Sequence, residues 1–287
     1  MDIKCYNEIG EMMIEIFKAI LFGIVEGITE WLPISSTGHM ILLDEFINLN
    51  VSENFYELFQ VVIQLGAILA VVVIYFKSLF PWGFGKSKEE TKSTLNLWGK
   101  ILVACVPAAI IGILFDDWLD AHLYNSIVVS IALIVYGIIF IVIENKNIGS
   151  KETKSVKDIT YKQALQIGGF QLLALIPGTS RSGSTIIGGL LIGLERSVAA
   201  EVTFFLAIPV MAGASLLKLA KYILKVGFVF SGLEIGILLV GCLVAFIISM
   251  IVIKFLINYI RKHDFKVFGY YRIVLGILVL LYFLIFK

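Results

Sequence analysis

Nine apolar runs constrain this chain more than any other feature of its sequence. Hydrophobic residues make up 59% of the 287 positions and charged residues only 16%, a balance that soluble domains do not reach. A helix needs about 20 apolar residues to cross a bilayer, and several runs approach or exceed that length. The pattern predicts an all-α polytopic integral membrane protein, and the net charge of +1 gives no reason to expect a nucleic-acid partner. The runs occupy residues 12–32, 58–76, 98–115, 126–143, 164–176, 184–194, 199–217, 232–257 and 268–286.

The first run ends in a polar break, VEGITEWLPISSTGHM, at residues 25–40. Glu26 and Glu30 are four positions apart and share one face of a helix. Pro33 ends that helix near Leu32, and a polar loop leads to His39. Ionisable groups in hydrocarbon cost about 2.5–3.5 kcal/mol each. The segment is therefore either a helix end at the interface, with its carboxylates in water, or a buried polar cavity where helices break.

A second break, PGTSRSGST, occupies residues 177–185. A helix that begins near Ser184 would point its free N–H groups at this loop. Arg181 adds a planar, permanently charged group that suits phosphate or carboxylate. The break predicts an anion site, and two readings stay open. Arg181 is the counter-ion of Glu26 or Glu30, or it binds a substrate anion that displaces this pairing.

The two breaks lie in halves that resemble one another at an offset of 144 positions. This offset places Pro33 on Pro177 and Ser36 on Ser180, and it also pairs Glu57 with Glu201 and Lys77 with Lys221. We interpret the chain as one structural domain of two inverted-topology repeats, 1–144 and 145–287. Each repeat would contain a broken re-entrant helical hairpin, at 12–47 and 163–196, followed by three full spans that end at 143 and 286.

Loop charges predict the orientation of the chain. The connections 44–57 and 116–125 are acidic, the latter through Asp116, Asp117 and Asp120, whereas 77–100 and 145–162 are rich in lysine. The positive-inside rule places the lysine-rich connections in the cytoplasm and the acidic ones outside. The lysines between Lys218 and Lys225 would then lie outside, against the rule.

The combined inventory of the breaks suits phosphoryl transfer. Glu26 and Glu30 could hold a hard divalent cation such as Mg²⁺ or Ca²⁺, and His39 could exchange a proton near neutral pH. Ser36 could attack phosphorus or only hydrogen-bond a phosphate. Positioning and charge neutralisation do most of the work in such reactions. Hydroxyl-rich breaks also coordinate Na⁺ in transporters, so the inventory alone leaves both classes open.

The two motifs, EGxTExxPxSSTGH and PGxSRSGxT, resemble those of the undecaprenyl-diphosphatase family, also called bacitracin-resistance proteins. The run FQVVIQLGAILAVVVIYF at 59–76 is similar to the helix that follows in that family. The resemblance implies an enzyme that removes the terminal phosphate of undecaprenyl diphosphate. Its product is the lipid carrier for peptidoglycan and other envelope polymers. It also implies a divalent cation and an active site at the outer face of the bacterial plasma membrane.

The resemblance and the inventory together give a set of predicted site residues. The predicted catalytic residues are Glu26, Glu30, Ser36, His39 and Arg181, with Glu26 and Glu30 as metal ligands. The predicted substrate-binding residues are Ser35, Thr37, Gly178, Ser180, Arg181, Ser182, Gly183 and Thr185. Either Ser36 or water would be the nucleophile. The competing function is a transporter or flippase of undecaprenyl phosphate or another anionic lipid, and a homodimer is left open.

Overall fold

The computed structural model describes residues 3–83, 85–148 and 152–286, with the backbone alone described for residues 3–8, 116 and 120. This description leaves out the outermost residues of the two predicted repeats, part of the connection 145–162, and the side chains of Asp116 and Asp120. The described chain is helical apart from one parallel bridge between Thr153 and Leu194. Its helices are α1 Ile3–Thr29, α2 Ser36–Phe46, α3 Glu53–Ile74, α4 Phe76–Leu79, α5 Lys88–Leu123, α6 Ser126–Asn145, α7 Tyr161–Gln171, α8 Arg181–Leu191, α9 Arg196–Val226, α10 Gly232–Ile260 and α11 Lys266–Phe286, with 3₁₀ turns at Val156–Asp158 and Leu172–Leu175.

Six of the described helices are long and apolar enough to cross a membrane, and each half of the chain supplies three of them. They are α3, α5 over Lys88–Phe115, α6, α9, α10 and α11. The prediction of an all-α polytopic membrane protein is confirmed. Polar side chains define several helix starts, as at α5, where Ser87 and Glu90 exchange hydrogen bonds in a capping box.

Helices from the two halves pack against each other throughout the molecule. α1 lies along α10 and α7 along α5, while α3 packs on α9 and α6 on α11. The α6–α11 contact is backbone-close, because a Cβ atom on either Gly137 or Gly269 would lie 2.7 Å from the carbonyl oxygen of the other. If α1, α3, α5 and α6 of the first half correspond to α7, α9, α10 and α11 of the second, the contact of α1 with α10 corresponds to that of α7 with α5. The α3–α9 and α6–α11 contacts each join a helix to its own counterpart, as a two-fold repeat requires. The inverted orientation of the repeats in a membrane stays a prediction.

Both polar breaks end in the same unusual backbone conformation. Ser35 and Ser180 have φ angles of 73° and 71°, and each caps a helix by accepting a hydrogen bond, from the N–H of Gly38 and Gly183 respectively. These caps lie 145 positions apart, one more than the offset from the sequence, because the second break has an extra residue between its proline and its cap. The structural counterpart of Ser36 is therefore Arg181.

The ends of the helices beside the breaks differ from the sequence expectation. α1 ends at Thr29 and passes through a turn before Pro33, so the expected end near Leu32 was three residues too late. α8 begins at Arg181, three residues before the expected start at Ser184, because Ser180 already caps it. α2, α7 and α8 have 11 residues each, about 16 Å of helix, or half of a hydrocarbon core of about 30 Å. Re-entry of these short helices into a membrane stays a prediction.

Candidate active site

A cavity of about 210 Å³ lies where the two breaks meet. The first break contributes Glu30, Ser36 and Thr37 to its wall. The second break contributes Pro177, Gly178, Ser180 and Arg181. Gln64, Gln171, the apolar residues 174–176 and apolar residues of α5 and α9 complete the wall. Segments more than 140 positions apart in the chain thus face one polar space. Prolines inside α5 and α9, Pro107 and Pro209, directly precede the wall residues Ala108 and Val210, and each proline removes a backbone N–H from its helix there.

Glu30 joins the two breaks chemically. Its Oε1 atom accepts a hydrogen bond from Nη2 of Arg181 at 2.8 Å, and its Oε2 atom accepts one from the hydroxyl of Ser36 at 2.9 Å. The carboxylate is 5% exposed and the guanidinium side chain 11%. Arg181 is thus a counter-ion of Glu30 and also lines the cavity, whereas its binding of a substrate anion stays a prediction.

Further contacts fix the guanidinium of Arg181. Its Nη1 atom donates to the carbonyl oxygen of Thr203 in α9. The ring of Trp31 lies 5.9 Å from the guanidinium carbon and is itself fully buried against Phe204. The Nε–H of Arg181 has no hydrogen-bond partner among the described residues. One donor of a well-anchored cation thus stays unused among the described residues.

Glu26 lies deeper than Glu30 and is 1% exposed. Its carboxyl interacts electrostatically with Glu30 and Arg181. Its Oε1 atom is buried and has no hydrogen-bond partner within the part of the chain that the structure describes. An orphaned carboxylate oxygen beside a second carboxylate is suited to a hard cation. Mg²⁺ is commonly held by one or two carboxylates together with substrate phosphates rather than by a full set of protein ligands.

Several predicted substrate-binding residues lie behind the wall rather than in it. The hydroxyl of Ser182 lies 3.3 Å from the carbonyl oxygen of Leu32, and that of Thr185 lies 2.8 Å from the hydroxyl of Thr203. The hydroxyl of Ser35 and the backbone N–H of Gly183 take part in the hydrogen bonds that cap α2 and α8. These residues shape the loops around Ser36 and Arg181, whereas Thr37, Gly178 and Ser180 reach the cavity. Direct substrate binding by any of them stays a prediction.

His39 is not among the residues that line the cavity. Its Nδ1–H donates to the carbonyl oxygen of Ser35 at 2.7 Å. Its Nε2 atom lies 2.7 Å from the hydroxyl of Tyr271, whose ring stacks on the imidazole. His39 thus supports the residue that caps α2 and connects it to α11. Its predicted role as a proton carrier stays a prediction.

Arg272 connects the two breaks from the opposite side and was missed by the sequence analysis. It is fully buried in α11 and donates to the carbonyl oxygens of Pro33 at 3.1 Å and Gly178 at 2.8 Å. Its guanidinium also lies over the ring of Tyr136, 5.5 Å from the centroid. The signal was present, because a single arginine within the apolar run YYRIVL is costly and therefore suggests a specific role.

The arrangement can bind and polarise an anion. The N-terminus of α8 and Arg181 present positive charge to the cavity. Glu26 and Glu30 beside the cavity can balance a cation. The hydroxyl of Ser36 is hydrogen-bonded to Glu30 at a distance that suits a nucleophile and its base. The site therefore combines hydrogen-bond donors for a phosphate ester or anhydride, acidic residues for a cation that balances its charge, and a hydroxyl oxygen that could attack phosphorus.

Comparison with known proteins identifies the family of this chain. Residues 19–278 match the family model described as bacitracin resistance protein BacA. A protein of Enterococcus faecalis named undecaprenyl-diphosphatase is 64% identical over 272 residues, which cover 93% of this chain and 97% of that protein. A protein of the same name from Desulfitobacterium hafniense is 61% identical over 273 residues, 94% of this chain and 97% of that protein. Undecaprenyl-diphosphatase 1 of Clostridioides difficile is 61% identical over 271 residues, with coverage of 94% and 97%. The chain belongs to the bacitracin resistance protein BacA family.

Proposed function

We propose that this chain is an undecaprenyl-diphosphatase that hydrolyses undecaprenyl diphosphate to undecaprenyl phosphate and inorganic phosphate. The reaction would recycle the lipid carrier for cell-wall synthesis and so give resistance to bacitracin. The observation that carries the proposal is the contact chain Ser36–Glu30–Arg181 at a polar cavity, assembled from both breaks. The names of relatives with about 60% identity over nearly their full length support the same activity.

The proposed chemistry starts from the hydrogen bond between Ser36 and Glu30. The Ser36 oxygen attacks the terminal phosphorus while its proton passes to the Glu30 carboxylate, and the bond from that phosphorus to the bridging oxygen breaks. The electron pair leaves with undecaprenyl phosphate. A water molecule then hydrolyses the phosphoserine and releases inorganic phosphate. Direct attack by a water positioned at Glu30 is the alternative.

The proposed role of Arg181 is to hold the phosphate that is transferred. Arg181 is the first residue of α8, and the free N–H groups at this end of the helix also favour an anion. Its contact with Glu30 keeps the fork oriented before substrate binds. Charge that develops on the phosphoryl oxygens during the reaction would then meet donors already in place.

A divalent cation, Mg²⁺ or Ca²⁺, fits this donor set and would be held by Glu26 and Glu30. It would neutralise the diphosphate when bound. The orphaned Oε1 atom of Glu26 is the structural observation that favours such a cation. Among the described residues, groups of three or more His, Cys, Asp or Glu able to hold a metal are absent, so the substrate phosphates would complete the coordination.

We further propose that the cleft opens to the outer face of the bacterial plasma membrane. A second cavity of about 560 Å³ is lined by Glu57, Asp117 and the lysines of α9 at Lys218, Lys221 and Lys225. Both cavities touch α3 and α9. Along these two helices, the residues of the second cavity lie about 6–10 Å of helix rise from Gln64 and Ala214, which line the first cavity. A hydrogen bond from Lys221 lowers the pKa of Asp117 from its ordinary value and keeps this carboxylate charged. The connection 44–57, which has no lysine or arginine, enters α3 on the same side, and its composition favours an outward opening, although the three lysines of α9 run against the positive-inside rule there.

Phosphate release in detergent micelles separates the enzyme from the competing lipid transporter. Micelles have no second compartment, so only hydrolysis produces inorganic phosphate there. We expect purified protein to release phosphate from undecaprenyl diphosphate in micelles, and to lose this activity with a chelator. Movement of lipid in sealed vesicles without phosphate release in micelles would favour the transporter.

Acid quench with substrate labelled in the terminal phosphate tests the nucleophile. A labelled protein that disappears in Ser36→Ala supports attack by serine. Full turnover without any labelled protein assigns the attack to water. The expectation that the chain has no nucleic-acid partner stays a prediction, and the sequence leaves a homodimer open.

A further inference from the structure

Gln171 is a buried amide in the cavity wall whose polar atoms are unused. It is the last residue of α7, directly before the 3₁₀ turn Leu172–Leu175 that leads to the second break, and it is 1% exposed. Neither its Nε2 nor its Oε1 atom has a hydrogen-bond partner among the described residues. An unsatisfied buried polar group typically costs about 1–3 kcal/mol, and such groups are rare enough that each one calls for an explanation.

The surroundings of Gln171 point to a ligand. The same cavity is lined by Arg181, whose Nε–H is also without a partner among the described residues, and by Glu30 and Ser36. Both side chains line the space that the proposed substrate would occupy, and each has an unused donor, one neutral and one cationic. An oxygen-rich anion between them would satisfy both.

The chemistry of the two breaks explains why an amide suits this position. The first break supplies carboxylates and the second supplies neutral or cationic donors. A carboxylate at position 171 would put negative charge on the side of the cavity where the phosphate is expected, whereas the amide can donate a hydrogen bond.

We propose that the Gln171 amide binds the substrate directly, with its Nε2–H donating to a non-bridging phosphoryl oxygen of the diphosphate beside Arg181. This inference rests on the proposed function and deepens it. Gln171 would then be a substrate-binding residue that helps to select a phosphoryl group, rather than a partner in helix packing.

Gln171→Met tests the proposal, because methionine keeps the length of the side chain and removes its polar atoms. The matched control is Gln166→Met on the exposed face of the same helix. We expect Gln171→Met to lower kcat/KM for phosphate release about 10- to 100-fold, the usual effect of one lost hydrogen bond to a charged group. Inhibition by inorganic phosphate should weaken by a similar factor. The melting temperature should stay equal or rise, because an unsatisfied amide has been removed, and Gln166→Met should resemble the wild type in all three measurements.

Gln171→Glu tests the sign of the charge that the residue meets. If Gln171 faces phosphate, this variant should lose more activity than Gln171→Met, since two negative groups would then oppose each other. Retained activity with tighter binding of Mg²⁺ would make the residue a cation ligand and overturn the proposal.

Two further results would overturn it. One is a kcat/KM within twofold of the wild type in Gln171→Met. The other is a loss of activity that follows a lower melting temperature with unchanged phosphate inhibition, which would indicate packing. The wild-type protein in the same assay keeps the two proposals separate: no phosphate release from it refutes the phosphatase itself, whereas normal release from it and from Gln171→Met refutes only the role of Gln171.

Discussion

Replacement of Arg272 by methionine would test how the two breaks are held together. The guanidinium donates to the carbonyl oxygens of Pro33 and Gly178, one from each break, at 3.1 and 2.8 Å. Its other two acceptors, Ala132 and Leu133, lie at 3.5 and 3.4 Å inside α6, where the helix already uses their carbonyl groups. The loss therefore falls on the two loop carbonyls.

The expected magnitude follows from these two carbonyls. Each buried carbonyl left without a donor costs about 1–3 kcal/mol, so Arg272→Met should lower the free energy of unfolding by about 2–6 kcal/mol. Removal of a buried charge offsets part of this cost, which favours the lower half of the range. Arg272→Lys should lie between the wild type and Arg272→Met, because one ammonium group cannot reproduce the planar fork that reaches both loops.

Thermal unfolding in detergent and phosphate release measure this effect. We expect a lower melting temperature, and a kcat/KM that falls at least about tenfold at temperatures where the variant is still folded, because small displacements of reacting groups are costly. Arg261→Met is the control, since this arginine is exposed beyond α10 and surface changes usually stay within about 0.5 kcal/mol. Wild-type stability and activity in Arg272→Met would refute the bridging role.

The remaining predictions concern the cleft itself. Arg181→Lys should lower kcat/KM about 10- to 100-fold, because an ammonium cannot hold Glu30 and the Thr203 carbonyl in one plane; full activity would remove Arg181 from substrate recognition. Glu30→Gln should raise the concentration of Mg²⁺ or Ca²⁺ needed for half-maximal activity, and an unchanged metal titration would end its assignment as a ligand. Gly178→Ala should destabilise the protein by about 1–3 kcal/mol and reduce activity, because φ is +91° and the new Cβ would lie 2.5 Å from the carbonyl oxygen of Val129. Gly169→Ala, with open space around the position, is its control, and equal melting temperatures for the two variants would contradict the strain.

The sequence predicts the parts of this molecule that depend on local chemistry. Apolar length marks the six candidate spans, and prolines with clustered hydroxyls mark the two breaks. A pairing of Arg181 with Glu26 or Glu30 could also be expected, because a buried guanidinium needs an acceptor. These two glutamates are the acidic residues of the two motifs, and Arg181 is their arginine.

Other features depend on partners that are distant in sequence. The hydrogen bond between His39 and Tyr271 joins residues 232 positions apart, and no periodicity reveals it. The extra residue in the second break shifts the offset from 144 to 145, and only the caps at Ser35 and Ser180 show the correct register. Gln171 could be weighed as a cleft residue from its position, but its unused amide is visible only once its neighbours are known.

A double-mutant cycle between Glu30→Gln and Arg181→Lys tests most directly whether the two breaks form one catalytic site. The measured quantity is kcat/KM for phosphate release from undecaprenyl diphosphate by the wild type, both single variants and the double variant. Because the two side chains are in direct contact, we predict that the loss in the double variant is smaller than the product of the single losses, with a coupling of about 1–3 kcal/mol. Losses that multiply without coupling would mean that the two residues act independently, and would contradict the shared site.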